Sequence, residues 1–501
     1  MEDTETASVS NMSPHPQKLV DRVTQDLSPD ELLLRAQGHH GELPRQFSSF
    51  AALSLAFVIT NSWLGYCASF AVPLLAGGGP GVFWGVIVAA VACLIITAGL
   101  AELASAYPSS GGQYHFAFMV SSAKSRAIAA FITGWLSTLA WCLTTTSAAI
   151  YCAEIALALA SLFHPSYVPT QWQTYLIYLL LLILAGLLVC FASRLLPSLE
   201  KFFFWCSLLA FVVMFVTMLV ASGKKQSAEV VFARYSNETG WSDGMSFIIA
   251  VGSCLGTTIP FFLALLFSVH DLNAVASSGL PIMEVFYQAT GNRRDACTVL
   301  TVWVLFNFFG VTVSCLATAG RLTWAFARDN GLPYSKIFAS VNSKYLTPIN
   351  ATAICGLFCS LYGLIYIGST AAFNSIISMA ILALNISYAT PQAILLFRGR
   401  DKVLPPRSFR LGRFGPFVNA FSCIWCAFYA VIFCFPVTLP AEVASMNYVS
   451  VVLAGIVLFI LLFWLISKRK SFTGPDITVE GVETIQEQIN QLQQISGKER
   501  V

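Results

Sequence analysis

The sequence predicts an all-α polytopic membrane protein, and three observations predict it. Apolar residues make up 56% of the 501 positions and charged residues 11%, against about a quarter charged in a soluble domain. The apolar residues gather in blocks of about 20, the length a helix needs to cross a hydrocarbon layer of about 30 Å. The Lys and Arg residues lie between the blocks and alternate from one connection to the next. Inside lipid only helices and closed barrels satisfy every backbone polar group, and blocks that are continuous rather than alternating select helices. A soluble fold with this composition and a mean hydropathy of +0.71 could not cover its own surface.

Residues 1–46 read as a polar N-terminal tail. No apolar run with small-residue cleavage signals opens it, so no cleavable signal peptide is expected and the first span acts as the insertion signal. Eleven spans are expected, at 49–75, 81–106, 127–161, 173–193, 202–221, 245–268, 296–318, 349–368, 372–397, 416–437 and 447–467. They fill a transmembrane region of residues 47–470, followed by a polar C-terminal tail, 471–501. In that tail Val482, Ile485, Ile489, Leu492 and Ile495 follow heptad-like spacing. So short a stretch reads as an amphipathic tail rather than a coiled coil.

The charges orient the spans. The N-tail carries Lys18, Arg22, Arg35 and Arg45, the 2–3 connection Lys124 and Arg126, and the 4–5 connection Arg194 and Lys201; the 1–2 and 3–4 connections carry none. Later, 319–347 holds Arg321, Arg328, Lys336 and Lys344, and 398–415 holds Arg398, Arg400, Lys402, Arg407, Arg410 and Arg413. The links near Ser369 and Pro440 hold none, and the tail opens with Lys468, Arg469 and Lys470. Cationic connections stay on the cytoplasmic side, so both tails are expected there. The two halves do not join, however. Parity from the N-terminus puts 222–244 outside, and parity back from 319–347 puts 269–295 outside as well. Only 245–268 lies between. Either a span is missing, or 245–268 is a re-entrant hairpin, or one half is forced into the wrong orientation. Lys224, Lys225, Arg234, Arg293 and Arg294 run against the rule and do not decide. Gly252, Gly256 and Pro260 interrupt the segment and leave a hairpin open, with arms of about 12 residues, too short to cross.

Most of the fourteen cysteines, Cys67, Cys93, Cys190, Cys315 and Cys359 among them, lie inside apolar blocks and read as small hydrophobes. Cys423 and Cys426 form a CxxC in an apolar helix without a nearby His, which argues against a metal. No cofactor and no nucleic-acid partner is expected. No nucleophile-elbow, zincin, phosphate-loop or dinucleotide fingerprint stands in a supporting context, so the chain reads as a non-enzyme.

Within the first span stands Thr60-Asn61-Ser62-Trp63-Leu64-Gly65. Polar groups at mid-membrane are costly and face a cavity or a neighbouring helix. A helix broken there offers amides to a carboxylate or carbonyls to a cation; the alternative is ordinary packing through small and polar residues. Gly77-Gly78-Gly79-Pro80 marks a turn. Glu102-Leu103-Ala104-Ser105-Ala106-Tyr107-Pro108 and Ser109-Ser110-Gly111-Gly112-Gln113-Tyr114-His115 follow the second span.

This run resembles the amino acid–polyamine–organocation (APC) superfamily, and within it the fungal permeases for amino acids, choline and 4-aminobutyrate. Further matches are Pro80 to Trp84, Asn237 to Gly244, Leu280 to Glu284 with Tyr287 to Asn292, Arg321 to Asp329, Phe373-Asn374, Ser387-Tyr388, Phe409 to Gly412 and Met446-Asn447-Tyr448. Together they cover about residues 40–475; singly each is weak. The resemblance implies a twelve-helix, LeuT-like inverted-repeat fold with substrate held between broken helices one and six. It places the first-helix site on Thr60 to Gly65 and suggests Trp141 and Asn307 as further lining residues, with packing their alternative. Proton coupling and a plasma-membrane location, with the vacuolar membrane as the alternative, are implied in the same way.

The chain also departs from the family. The sixth helix's Thr–Gly–Tyr–Asp element, and the His and Glu–Glu pair that follow it, have no counterpart. After Ala250 the chain passes through Val251 to Thr258 and reaches Phe261, Leu263, Leu265, Phe267 and Ser268, which resemble the end of helix seven. Most of the sixth helix is therefore expected to be missing, giving about eleven spans instead of twelve. Half the substrate site and the inner-gate acids go with it. The leading reading is a secondary active permease for amino acids or amines. The alternative is a transport-deficient or sensor-like membrane protein, an isoform or gene model short of one span.

Three side readings complete the pass. Glu154 is the acid deepest in an apolar stretch, about 40 Å along its helix at 1.5 Å per residue and so near the outer surface. Asn237 opens an N-x-T sequon on an expected outer loop, a possible glycosylation site close to the membrane. His115 and His270 are expected in connections, solvated, and Arg321 and Arg328 as cytoplasmic anchors.

Overall fold

A computed structural model describes residues 46–223, 225–254, 259–441 and 446–475. The heptad-like positions of the C-terminal tail and nearly all of the N-terminal tail lie outside the described residues. Among the described residues ten helices are long and apolar enough to cross a membrane: Ser49–Ser69, Ala71–Ala106, Arg126–Phe163, Gln171–Phe191, Leu196–Ala221, Arg294–Arg328, Ile349–Gly368, Ser378–Arg398, Gly412–Ile432 and Val449–Lys468. The eleventh expected span, 245–268, is not among them.

The first two spans meet later than their helix limits suggest. Gly78 sits at φ 59° and ψ −146° within Ala71–Ala106, a conformation that glycine reaches without steric cost. A Cβ on Gly81 would lie 2.7 Å from the Pro73 carbonyl, whereas residues eight apart in a straight helix are about 12 Å apart. The chain thus doubles back at Gly78. The first span runs on through Ala71 to Gly77, and the second is the remainder.

The connections that the charge rule places outside are bonded to one another. Glu238 N donates to Leu75 O at 2.9 Å, Leu439 N to Thr239 O at 2.6 Å and Trp241 Nε1 to Pro436 O at 3.1 Å. Tyr235 Oη donates to Ala76 O at 2.8 Å, and burial raises this phenol above its ordinary pKa. The connections placed inside do the same. Arg398 Nη1 donates to Val120 O at 2.9 Å, Ser193 Oγ to Tyr345 O, and Lys468 Nζ to Asn330 O at 2.9 Å. Sequence-distant loops of like charge pattern thus meet at the same end of the bundle.

Between these ends the 38-residue helix Arg126–Phe163 packs along Arg294–Arg328. Gly134 permits the approach, since a Cβ there would stand 2.4 Å from the Phe326 ring. Small residues let membrane helices close in where no hydrophobic effect drives them together. Glu154 lies near the outer end of its helix, as expected, and accepts a bond of 3.2 Å from Tyr366 Oη, close to the end of Ile349–Gly368.

The segment 245–268 is two short helices, Asp243–Ser253 and Ile259–Ser268. At about 1.5 Å per residue they reach about 16 and 15 Å, half of a hydrocarbon layer. Both outer ends lie on one side: Gln226 N donates to Phe267 O at 3.0 Å and Ser268 Oγ to Met218 O at 2.8 Å, while Ser246 Oγ reaches Ala76 O at 2.5 Å. Of the three ways to resolve the parity break, this geometry is the re-entrant hairpin. Its two described arms have their outer ends on one face, and each reaches about half of a hydrocarbon layer.

Candidate functional site

The first span breaks where the polar cluster predicts. Helix Ser49–Thr60 ends at Asn61, whose backbone is non-helical at φ 19° and ψ 61°, and Ser62–Ser69 begins after it. The Asn61 N–H closes the first helix on Phe57 O at 2.7 Å. Its carbonyl opens the second by accepting from Leu64 N at 2.9 Å and Gly65 N at 3.0 Å. Each helix end leaves backbone groups without ladder partners and carries a partial charge, negative on the first helix and positive on the second.

Side chains fix the break in place. Asn61, 2% exposed, accepts at Oδ1 from Ser207 Oγ at 3.0 Å. The same hydroxyl accepts from Trp63 Nε1 at 3.0 Å. Ser207 comes from helix Leu196–Ala221 and is fully buried. Of the predicted residues Trp63 and Leu64 are buried and serve as the wall of the break, together with Tyr66, which the sequence did not single out. Ser62 and Gly65 are half-buried, and a Cβ on Gly65 would meet no atom within 4 Å. With exposed Ala68 and half-buried Ser69 they make one face of small and polar residues, left open. Thr60 is exposed, and its hydroxyl is turned back onto Ala56 O at 2.8 Å.

The hairpin packs against the buried face of helix Ser62–Ser69, the side away from Ser62 and Gly65. Phe261 stands edge-on to Trp63 with centroids 5.2 Å apart, Phe262 lies 4.1 Å from Tyr66, and Phe211 lies 5.6 Å from Phe261. Near the turn, Ser69 Oγ donates to Ser253 O at 3.1 Å, and Tyr66 Oη meets Cys254 Sγ at 3.5 Å. The helix after the break therefore meets the inner ends of both described arms, Ser253 and Cys254 on one and Phe261 and Phe262 on the other.

Trp141 packs at the edge of the same apolar core. Asn307 is 1% exposed and donates from Nδ2 to Trp303 O at 2.9 Å, while its Oδ1 is buried without a partner. Among the described residues neither makes a hydrogen bond or ring contact with the break. Asn237 is folded into the outer loop: its Nδ2 donates to Trp241 O at 2.7 Å and Asp243 Oδ1 at 3.0 Å, and Thr239 of the sequon is fully buried. A glycan on that nitrogen would displace one of these bonds. His115 is buried, not solvated.

Two acids stand out that the sequence pattern did not. Glu200, fully buried, accepts from Ser314 Oγ at 2.9 Å on each carboxylate oxygen. Glu102, 1% exposed, is shared by Arg400 and Arg407.

The sequence model described as amino acid permease matches residues 50–248 and 244–459, so its two pieces meet at the start of the hairpin. The choline transporter of Saccharomyces cerevisiae is 33% identical over 92% of this chain and 89% of its own length. An uncharacterized amino-acid permease of Schizosaccharomyces pombe is 30% identical over 88% and 89%. A transmembrane transporter, swnT, of Metarhizium robertsii is 28% identical over 94% and 100%. The yeast alignment is 506 positions long yet takes up 92% of 501 residues, about 461, so about 45 of its positions in all have no residue here. The same comparison with the Schizosaccharomyces protein, 483 positions against 88% of the chain, or about 441 residues, leaves about 42.

Proposed function

The chain belongs to the amino acid permease family, and we propose that it is a secondary active transporter of an amino acid or a related amine, such as choline or 4-aminobutyrate, working by alternating access with proton coupling. The observation that carries this reading is the break at Asn61, with opposed helix ends, an open face at Ser62 and Gly65, and an aromatic wall. A carboxylate suits the amide end of Ser62–Ser69, and an ammonium group suits the carbonyl end of Ser49–Thr60. Trp63, Tyr66, Phe211, Phe261 and Phe262 favour an amine that carries methyl groups, because a ring face attracts a cation too weakly hydrated to hold its water. That the relative in Saccharomyces cerevisiae is named a choline transporter supports the same class. Glu200 is the residue we assign to carry the coupled proton: it is a buried carboxyl whose hydrogen-bond partner is a neutral hydroxyl.

One observation favours a second reading. The hairpin's described arms are 11 and 10 residues long, each about half of a hydrocarbon layer, and about 45 positions of the yeast relative have no counterpart. Without an inner half to helix six, the chain would fold and bind but not cycle. Tracer uptake of amino acids, choline and 4-aminobutyrate in cells lacking their own permeases separates the two. Saturable uptake of one class, lost in Glu200→Gln as an inward proton gradient is applied, supports transport. Surface expression with uptake of none overturns it.

A further inference from the structure

The loop after helix Thr370–Arg398 borders a cavity of about 720 Å³ lined by Arg400, Arg407, Arg410, Arg413, Asp401 and Gly412, among others. Glu102, at the end of the second span, is the acid that holds it. It accepts from Arg400 Nη2, from Arg407 Nε at 2.9 Å and Nη2 at 2.6 Å, and from the Leu411 amide at 3.1 Å. One carboxylate therefore serves two guanidinium groups, and Glu102 and Asp401 together set two negative charges against the four lining arginines. Arg400 is 7% exposed, and its Nη1 is buried without a partner. Among the described residues no carboxylate pairs with Arg410 or Arg413, which are exposed, and Arg413 lies over the Phe414 ring at 5.1 Å.

The residues next in sequence to Leu396, Arg413 and Pro416 of the lining have a different chemistry. Phe397 is 87% exposed, Phe417 61% and Phe414 59%. Such rings beside a basic pocket suit the boundary between headgroups and acyl chains. Guanidinium forks match phosphate oxygens in geometry as well as charge. Basic pockets on the cytoplasmic side are where anionic headgroups collect, and the positive-inside pattern puts 398–415 on that side.

We propose that this pocket binds the phosphate of an anionic phospholipid of the cytoplasmic leaflet, held by Arg400, Arg410 and Arg413, with its acyl chains against Phe397, Phe414 and Phe417. The lipid supplies the negative charge that Glu102 and Asp401 do not, and so steadies the loop clamped to the second span by Tyr107 Oη on Val403 O at 2.7 Å.

The test uses the purified full chain in an uncharged detergent, with thermal unfolding followed as lipid is added. Phosphatidylinositol is expected to raise the midpoint by at least about 3 °C at saturation, since a ligand that binds the folded state stabilises it. Phosphatidylcholine and inorganic phosphate at the same concentration are expected to leave it in place. The variant Arg410→Gln/Arg413→Gln changes two exposed residues, so it folds; it should lose the shift, and Arg293→Gln/Arg294→Gln, on the other face, should keep it. An equal shift from inorganic phosphate would assign the pocket to a free anion and overturn the lipid. So would a full shift in Arg410→Gln/Arg413→Gln, or no shift with phosphatidylinositol.

Discussion

Ser207→Ala removes one hydroxyl and leaves two buried groups without partners, Trp63 Nε1 and Asn61 Oδ1. Each residue is 2% exposed, so water does not replace the bond. In soluble proteins an orphaned buried group costs about 1–3 kcal/mol. Between membrane helices the measured coupling is smaller, about 0.6 kcal/mol on average and about 1.7 at most, because the unfolded chain in lipid also finds partners. The membrane figures decide here, and two bonds give a loss of about 1–3 kcal/mol. The assay is reversible unfolding of the purified protein in mixed micelles, run as a double-mutant cycle with Asn61→Ala. The two substitutions should cost less together than the sum of their separate costs, by about 0.5–1.5 kcal/mol. If Ser207→Ala unfolds with the wild type, or if the two costs simply add, Ser207 does not hold the break and the geometry of the site rests on something else.

Further outcomes follow from other residues. Gly65→Leu should leave thermal unfolding unchanged, because its side chain enters open space, yet lower uptake at least about tenfold, equivalent to about 1.4 kcal/mol; unchanged uptake would show that no solute passes there. Gly134→Ala should do the reverse, costing about 1–3 kcal/mol of stability by overpacking against Phe326, as read by the unfolding midpoint. Glu102→Gln leaves two buried guanidinium groups facing a neutral amide and should cost about 3–5 kcal/mol; wild-type expression and unfolding would contradict the clamp. Arg234→Cys and Gly279→Cys, on either side of the hairpin, should both react in intact cells with a membrane-impermeant maleimide above the wild-type background, and protection of one until permeabilisation would restore a crossing segment.

The spans were legible because hydropathy is a local property, and length alone sets what can cross. The break at Asn61 was legible for a related reason: Thr60, Asn61 and Ser62 are three polar residues in a row inside an apolar block. Its partner was not, since a single Ser207 among Phe202 to Leu209 looks like any packed hydroxyl, and only the fold brings it 3.0 Å from Asn61. Glu200 stands beside Lys201 in a charged connection, where the sequence gives no sign of burial, yet the helix begins at Leu196 and buries it. Glu102 shows no role in its motif, because its partners lie about 300 residues later. The hairpin announced itself as a contradiction between two charge counts. Charge counts say which side a loop lies on and nothing about the path between, so contacts of Gln226 and Ser268 were needed to choose among three answers.

The hairpin also makes the two faces of the bundle unequal, and that bears on how a transport cycle would run. Toward the outside, the first-span turn, the loop before the hairpin and the link at Leu439 are knotted by backbone bonds, and the hairpin's aromatic arm covers Trp63 and Tyr66. Toward the inside, Ala52, Leu53, Ala56 and Thr60 form one exposed face of Ser49–Thr60, and among the described residues no half-helix from the hairpin meets it. Alternating access requires a barrier on each side of the solute that opens as the other closes. Here the outer barrier is built from broken-helix parts, and the inner one must come from elsewhere. If the outer barrier alone moves, solute and proton pass independently, and uptake would follow the solute gradient without regard to external pH. Coupled uptake therefore requires an inner closure, and the pH dependence of transport, more than its presence, separates a complete permease from one that has lost a gate.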